Sequence, residues 1–452
     1  MTPHPLLILI LLLSLTGSPF GQSPSQLGPG RKYTSVERMG MEHLAAVHQA
    51  RLRYEQARRP VRLPTGMTDY RAILHAHAED APHTGGTRPE MLKAARAAGV
   101  NIIMLSDHRR PERDFITDSW RGIHEGVLFI PGAEADGFLL YPIASLRDQQ
   151  TPTREAVIAA TRAGGGNIFL SHVEDKLDWP TDNLDGLEIY NHHTDVKDEA
   201  AFNFWLQGAM TNRARLAQIE QALATYPQEV IAAQQDYLAP ILKKWDADTA
   251  HRRLTGVAAN DCHHNQVFTV TVVDEQTIEV GIITSRPEKR QMTSAQVPAV
   301  AAMTSGRKPG ELIARLDFDP YERSFRYVST HILTGQLTEA AVREALRQGH
   351  AYVAHDWLCD PTGFAFVASA SGGKPVALMG DEIALRPGLE LKAEAPVACH
   401  WKLLRNGEVA ATGESREITL QVKAAGVYRV EAWLEADSEM RPWIYSNPIY
   451  VR

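Results

Sequence analysis

From Asp69 onward, short apolar runs alternate with amphipathic stretches. Tyr70–Leu74, Asn101–Ser106, Val127–Ile130, Ile168–Ser171, Gly186–Tyr190 and Gly256–Ala259 are too short for helices and apolar enough to be strands buried on both faces. Between them lie helical signals. Thr87-Arg88-Pro89-Glu90 offers a Thr N-cap, a Glu at N3 and a Pro in the first turn; Met91–Ala98 continues that helix and Gly99 stops it. Thr153–Ala163 is a second helix, ended by Gly164–Gly166, and Leu337–Gln348 is another. Residues 198–253 are almost entirely helical in pattern, which is long for a crossover and predicts an insertion. Strand, helix and strand in repetition predict a parallel sheet, open or closed into a barrel.

Upstream, residues 35–59 repeat at helical period, with Met39, Leu44, Val47 and Leu52 apolar, until Pro60 and Pro64 end the pattern. From about Lys374 the texture becomes that of strands alone. Leu389–Ala393, His400–Leu404, Glu417–Val422, Val427–Trp433 and Trp443–Val451 are the runs, and Asn406-Gly407 is a hairpin turn. A small all-β, sandwich-like module is expected there.

At the start, Leu6–Leu15 is an apolar run of ten residues, short of the roughly 20 that span a bilayer. Gly17, Ser18, Pro19 and Gly21 follow, then a polar stretch to Gly30. This predicts a secretory signal peptide cleaved near Gly21/Gln22, and a periplasmic or secreted mature protein without a membrane span. The expected division is therefore 1–21 signal peptide, 22–68 linker and helix, 69–373 the α/β region, and 374–452 the β module. At 452 residues, 44% hydrophobic and 22% charged, the composition is that of a globular protein and excludes a mainly disordered chain. A net charge of −7 argues against a nucleic-acid partner, and three cysteines cannot build a disulfide framework.

The predicted strand ends carry the chemistry. His75 and His77 follow the first strand, one residue apart, so that an extended backbone sends both side chains to one side. Glu79, Asp80 and His83 come next. Asp107-His108 ends the second strand, Glu134 follows the third through Pro131-Gly132, and His172 ends the fourth. Glu188 and Asn191 end the fifth beside His192 and His193; Asp261 and His263 end the sixth, with His264 next. One such residue means little. Six strand ends in series, each with a nitrogen or oxygen ligand and no sulfur, predict a cluster of two or more Zn, Mn or Fe ions.

This ordered set, His75-x-His77, His83, Ser106-Asp107-His108, Pro131-Gly132-x-Glu134, His172, Glu188-x-Tyr190-Asn191 and Asp261-x-His263, resembles the PHP (polymerase and histidinol phosphatase) superfamily over about residues 69–360. The resemblance implies an α/β fold, a distorted (β/α)7 TIM-like barrel, here with a small C-terminal β domain. It implies two or three divalent metal ions and hydrolysis of phosphate esters. Carried over, His75, His77 and Asp261 hold one metal, Glu134 bridges two, His83 and His108 bind the second, His263 joins the same cluster, and His172 serves a third. That pattern usually has a further histidine between the bridging glutamate and the last of these, and residues 135–171 contain none. Two metals, or a third held by His192 or His193, are both open. An acidic pair, Glu79-Asp80, also replaces the usual small residue; it either binds metal or hydrogen-bonds a ligand histidine.

The nucleophile is read as a hydroxide on the metal, since Cys262 alternates away from its neighbours and reads as buried filler. Asp107, His264 and Arg109 are the catalytic candidates, with His192 and His193 as other possible acids. Arg109, Arg110, Arg113 and Lys176 are candidate cations for phosphate, or else members of a solvated, ion-paired loop. Trp120, Trp179 and Trp357 read as core. The expected partner is a small phosphorylated molecule, and the β module caps the barrel or binds a partner or glycan. Two other readings stay open: a metal hydrolase of an amide, lactone or sugar derivative, and a non-catalytic metal- or glycan-binding module.

Overall fold

The computed structural model describes residues 30–110, 112–146, 153–197, 199–284, 287–370 and 373–452; the signal-peptide reading lies outside them. No described helix is long and apolar enough to cross a membrane.

The predicted strands form and extend. Thr68–Ala76 runs parallel to Ile102–Leu105 on one side and, through its last residues, to Thr255–Cys262 on the other. Ile102–Leu105 is parallel to Val127–Ile130, and both paths continue past a break as Asp107–His108 and Ala133–Ala135, again parallel. Ala133–Ala135 doubles back into Phe138–Tyr141, which lies antiparallel to Asn167–Leu170. Asn167–Leu170 is parallel to Gly186–Asn191, and Gly186–Asn191 to Thr255–Cys262. Ile102–Leu105, Val127–Ile130 and Asn167–Leu170 are buried along their whole length, as continuous apolar runs require.

Phe138–Tyr141 breaks the expected parallel order. Asp136 and Gly137 both have positive φ (55° and 90°), which makes the two-residue turn that an Asp-Gly pair favours. That signal was present in the sequence.

The helix predicted from Thr87 spans Arg88–Ala98, with the Thr87 hydroxyl accepting from the Glu90 amide and Gly99 left-handed at its end. Helices Ala200–Ala209, Arg213–Thr225, Pro227–Ile231 and Ala239–Thr249 fill the insertion. The sequence reading had no counterpart for their neighbour, a separate antiparallel sheet in the order Glu288–Thr293, Thr277–Ile282, Val267–Asp274, Leu312–Asp317. Phe202, Leu216 and Ile219 from the helices share a core with Val270, Ile278 and Leu316 of that sheet.

Toward the C-terminus, the two runs expected at 389–404 are one strand, Leu389–Arg405, carrying a bulge between Glu394 and Cys399. The β strands are not hydrogen-bonded only among themselves. Glu439–Ser446 pairs with Ala351–Ala354, which pairs with Ser329–Thr334, which pairs with the first half of Thr68–Ala76. Leu187, Tyr352 and Trp357 share one buried cluster with Trp401 and Trp443.

Candidate metal centre

The site sits where the parallel strands end. His75 and His77 come from the end of Thr68–Ala76, but simple alternation does not place them. The register slips between Leu74 and Ala76 against both neighbouring strands, and His75 has φ of 61°. A bulge re-aims the chain there. His172 (φ 46°) and Asp261 (φ 47°) are left-handed too. For residues with a Cβ this conformation is uncommon, and it concentrates here on ligand candidates.

Four imidazoles turn the same nitrogen, Nε2, toward two carboxylates. His75 Nε2 lies 3.5 Å from Glu134 Oε2 and 3.3 Å from Asp261 Oδ1. His77 Nε2 lies 3.8 and 3.5 Å from those two atoms. His108 Nε2 is 3.7 Å from Glu134 Oε2, and His172 Nε2 is 2.9 Å from Glu134 Oε1. The His263 ring stacks on His77 at 4.0 Å between centroids. Glu134 therefore turns one oxygen toward His172 and the other toward His75, His77 and His108, the arrangement of a bridging carboxylate. Asp261 turns Oδ2 toward His172 (3.6 Å) and His193 Nδ1 (3.2 Å).

Each outer ring nitrogen is held from behind. His77 Nδ1 and His108 Nδ1 both reach Asp80 Oδ2, at 2.9 and 2.7 Å, and the His108 amide and the Thr84 hydroxyl donate to the same carboxylate. His75 Nδ1 reaches Glu188 Oε1 at 2.6 Å; the other Glu188 oxygen accepts from the His172 amide and Asn191. His172 Nδ1 faces Glu174, and His263 Nδ1 faces the Asp261 carbonyl. These contacts fix the tautomers so that Nε2 presents its lone pair to the centre.

The residues fit divalent metal. His75 Nε2, His263 Nε2 and Asp261 Oδ1 are buried without a hydrogen-bond partner, a cost of about 1–3 kcal/mol per group unless something fills the gap. Four sets have ligand atoms within 4.8 Å of one another: His77, His108 and His263; His75, Glu134 and His172; His75, His77 and Asp261; His172, His193 and Asp261. Nitrogen and oxygen donors without sulfur suit Zn, Mn or Fe.

The electrostatics agree. Burial opposes charge on His75, yet Asp261, Glu188 and Glu134 hold it well above its usual range. Burial likewise opposes His77, but Asp80 and Asp261 raise it to about 9. Against burial, contacts with Glu134 and Glu174 push His172 up to about 12. Burial would raise Glu134 and Asp261, but His75 and its neighbours hold both well below the carboxylate range. The carboxylates draw positive charge so strongly that His75, His77 and His172 favour their protonated forms, whereas burial holds His263 well below its usual range. A bound cation would replace those protons.

Other expected site residues fall elsewhere. His83 packs its ring 4.8 Å from His108 and 4.9 Å from His263, at the rim of the cluster and outside the four sets. Of the acidic pair, buried Asp80 braces ligand histidines, while half-exposed Glu79 meets Arg88. Asn191 braces Glu188 and the His193 amide. Of the two histidines after Asn191, His193 reaches the cluster; His192 packs against Tyr327 in the interior. His264 does not face the site. It has φ of 49° and pairs with Glu90 and Asp317, since consecutive residues leave a strand in opposite directions.

Asp107 is held by Arg88 at 2.6 Å and Arg113 at 3.3 Å rather than by the imidazoles. The Lys176 ammonium donates to the Ser171 and His172 carbonyls. Arg113 donates to the Glu79 and Asp118 carbonyls, and Arg110 bridges to Arg113 through the backbone. Arg109, at the surface, lies 3.7 Å from Asp136. Cys262, Trp120, Trp179 and Trp357 pack with the hydrophobic clusters. Sequence reading assigned no role to Glu174 or Arg88, and took Glu188 as a strand-end ligand candidate where the structure makes it the brace of His75. The signal for Glu188 was there, as a carboxylate inside an apolar strand.

No family model matches this chain, and no curated protein matches it. Among solved structures, the chain is similar to a two-domain protein from Bacteroides vulgatus containing a predicted PHP-like metal-dependent phosphoesterase. The identity is 12% and the TM-score 0.33, covering 86% of this chain and 98% of that one. A likeness that remote carries no argument about function; the geometry of the centre does.

Proposed function

We propose that this chain is an exported metal-dependent hydrolase that cleaves a phosphate ester on a distorted seven-stranded barrel. One observation carries the reading: the imidazoles of His75, His77, His108 and His172 turn Nε2 toward two shared carboxylates, and a carboxylate braces each from behind. That is more ligand than one ion needs. His75, His77, Asp261, Glu134, His108, His263 and His172 would hold two ions, and His193 with His172 and Asp261 offers a place for a third. Bound divalent ions supply Lewis acidity, lower the pKa of water and neutralise charge on a phosphoryl group. The motif order that resembles the PHP superfamily favours phosphorus over carbon as the centre attacked.

The residues around the centre divide the other work. Glu134 and Asp261, each with its two oxygens turned toward different imidazoles, would hold the ions. Asp80 and Glu188 keep the imidazoles in one tautomer. Arg109, next in the chain to His108 and 3.7 Å from Asp136 at the surface, is the cation assigned to a phosphorylated substrate.

The test is metal content followed by substrate. Untagged full-length protein is analysed for Zn, Mn and Fe beside His77→Ala and Glu134→Ala, then assayed on phosphate mono- and diesters and on amides and lactones. Two or three ions per chain, reduced in both variants, with turnover of phosphate esters, are expected. Absence of bound metal after reconstitution would overturn the reading, and turnover confined to amides or lactones would move it to another bond.

A further inference from the structure

The metal centre draws on the late ends of three strands, Asn167–Leu170, Gly186–Asn191 and Thr255–Cys262, through His172, His193 and Asp261. The early ends of the same strands carry a different chemistry. There the chain just before each strand, with the last turns of the helices Arg154–Ala163 and Glu339–Gln348, lines a cavity of about 480 Å³. Arg162, Arg252, Arg253 and Arg347 surround it together with Asp182 and Asp185. A smaller cavity of about 310 Å³ beside it shares Arg162, Asp185 and Arg347. The mouth is open to solvent, since the Asp182 side chain is 82% exposed and that of Arg162 42%, while Leu184 is buried at the floor. Gly186–Asn191 has 6 residues and is therefore roughly 20 Å long, so this cavity is well removed from the metal ligands.

Backbone carbonyls hold all four guanidiniums in place. Arg162 donates to the Asn183 carbonyl, Arg252 to that of Leu184, Arg253 to that of Gln348 and Arg347 to that of Gly165. A guanidinium has five N–H donors, so each keeps others to offer. The carboxylates nearby are partly spoken for. Asp185 Oδ2 accepts from the Ile168 amide and Asn167, and its Oδ1 lies 3.6 Å from Arg162. Asp182 meets Arg252 at 3.0 Å, and Arg347 pairs with Glu344 at 2.5 Å. Asp381, within electrostatic reach of Arg253, is paired with His350. Four cations against two carboxylates leave the lining positive, in a chain whose net charge is −7. Arg162 and Arg347 sit in the last turns of their helices, where the helix dipole favours a cation in any case. Arg252 and Arg253 follow a helix end by several residues and have no such reason to gather here.

We propose that this cavity binds a small molecule through a tetrahedral oxyanion, a phosphate or sulfate group, held by Arg252, Arg253, Arg162 and Arg347. The planar fork of a guanidinium matches the paired oxygens of such a group, and all four cations are arginines. Their carbonyl anchors fix the forks before the anion arrives, which lowers the ordering cost of binding. The site stands on its own contacts and does not depend on the hydrolase reading.

The experiment measures binding rather than turnover. Full-length protein of known metal content is titrated with inorganic sulfate and inorganic phosphate by calorimetry and thermal shift, against chloride at equal ionic strength. Both oxyanions are expected to bind and raise Tm beyond chloride. Arg252→Gln and Arg253→Gln should each weaken sulfate binding about tenfold with metal content unchanged. Their Tm without ligand should hold, because the Arg252–Asp182 pair is a surface pair and contributes little to stability. Asp182→Asn removes a competing charge and should tighten binding. His77→Ala, which lowers metal content, should leave sulfate affinity as it was. Three results would overturn the proposal: neither oxyanion binds beyond chloride, both arginine variants bind as tightly as the parent, or binding disappears with the metal in His77→Ala.

Discussion

Asp80 braces two ligand histidines at once through one carboxylate oxygen. Asparagine in its place would keep the shape, but its amide can turn a donor toward two imidazoles that need an acceptor. Asp80→Asn is therefore expected to weaken metal binding about 10- to 100-fold, and Glu188→Gln to do the same through His75. Competition with a chromogenic chelator measures both; unchanged affinity would reduce these carboxylates to packing. Asp107 differs, since it answers the buried guanidinium of Arg88. Asp107→Ala leaves that charge with only half-exposed Glu79, and a stability loss of about 3–5 kcal/mol in urea denaturation is expected. Gly132 is a matter of space. A Cβ there would stand 2.3 Å from the Tyr141 ring and 2.7 Å from the Leu105 carbonyl, so Gly132→Ala should displace Glu134, two residues on, and lower metal content.

Elements carry these residues to their places. The helix Arg88–Ala98 begins at its Thr87 cap, and its first residue is the arginine that meets Asp107. Thr87→Ala removes the cap bond to the Glu90 amide and should cost about 1 kcal/mol, seen as a small fall in Tm. The bulge at the end of Thr68–Ala76 does more, because it turns His75 out of simple alternation and onto Glu188, Glu134 and Asp261. The Asp136-Gly137 turn sends the chain back antiparallel immediately after Glu134, so the bridging carboxylate sits on a short, tightly held ribbon.

At the scale of the whole molecule, Arg38 near the first described residues is buried against Glu439 in a late strand and donates to carbonyls of the insertion. A buried network at the far end of the first strand couples stability to pH. His331 lies between Asp69 (2.8 Å) and Asp356 (3.0 Å), and these raise it to about 9 against the opposing effect of burial. Its folded pKa exceeds its unfolded value of 6.5, so the stabilisation is complete below pH 6.5 and lost as pH rises through about 9. The stability difference between wild type and His331→Gln should be widest in mildly acid buffer and shrink toward pH 9. A difference independent of pH would show that His331 acts through packing alone. Removing residues after 373 would strip Ala351–Ala354 of one of its two partner strands and Trp357 of Trp401 and Trp443. The shortened chain is expected to lose cooperative thermal unfolding.

The sequence by itself determined the local and repetitive features. The apolar runs named the strands because burial on both faces demands apolar side chains throughout. Thr87, Pro89 and Gly99 marked one helix because its end groups need those residues. The order of histidines and carboxylates at strand ends pointed to metal, since few other uses gather so many unlike ligands at one place. Other features were decided only by tertiary structure. The left-handed φ at His75, His172 and Asp261 exists because neighbouring strands and carboxylates hold it, and no local propensity favours it in those residues. That Asp80 braces while Glu79 faces outward, and that His193 rather than His192 meets Asp261, depends on how each loop leaves its strand. The sheet over 267–317 and the pairing of Glu439–Ser446 with Ala351–Ala354 are contacts between segments far apart in the chain. Their energy comes from apolar surface that meets only once the chain is folded, and no periodicity along the chain records which surface meets which.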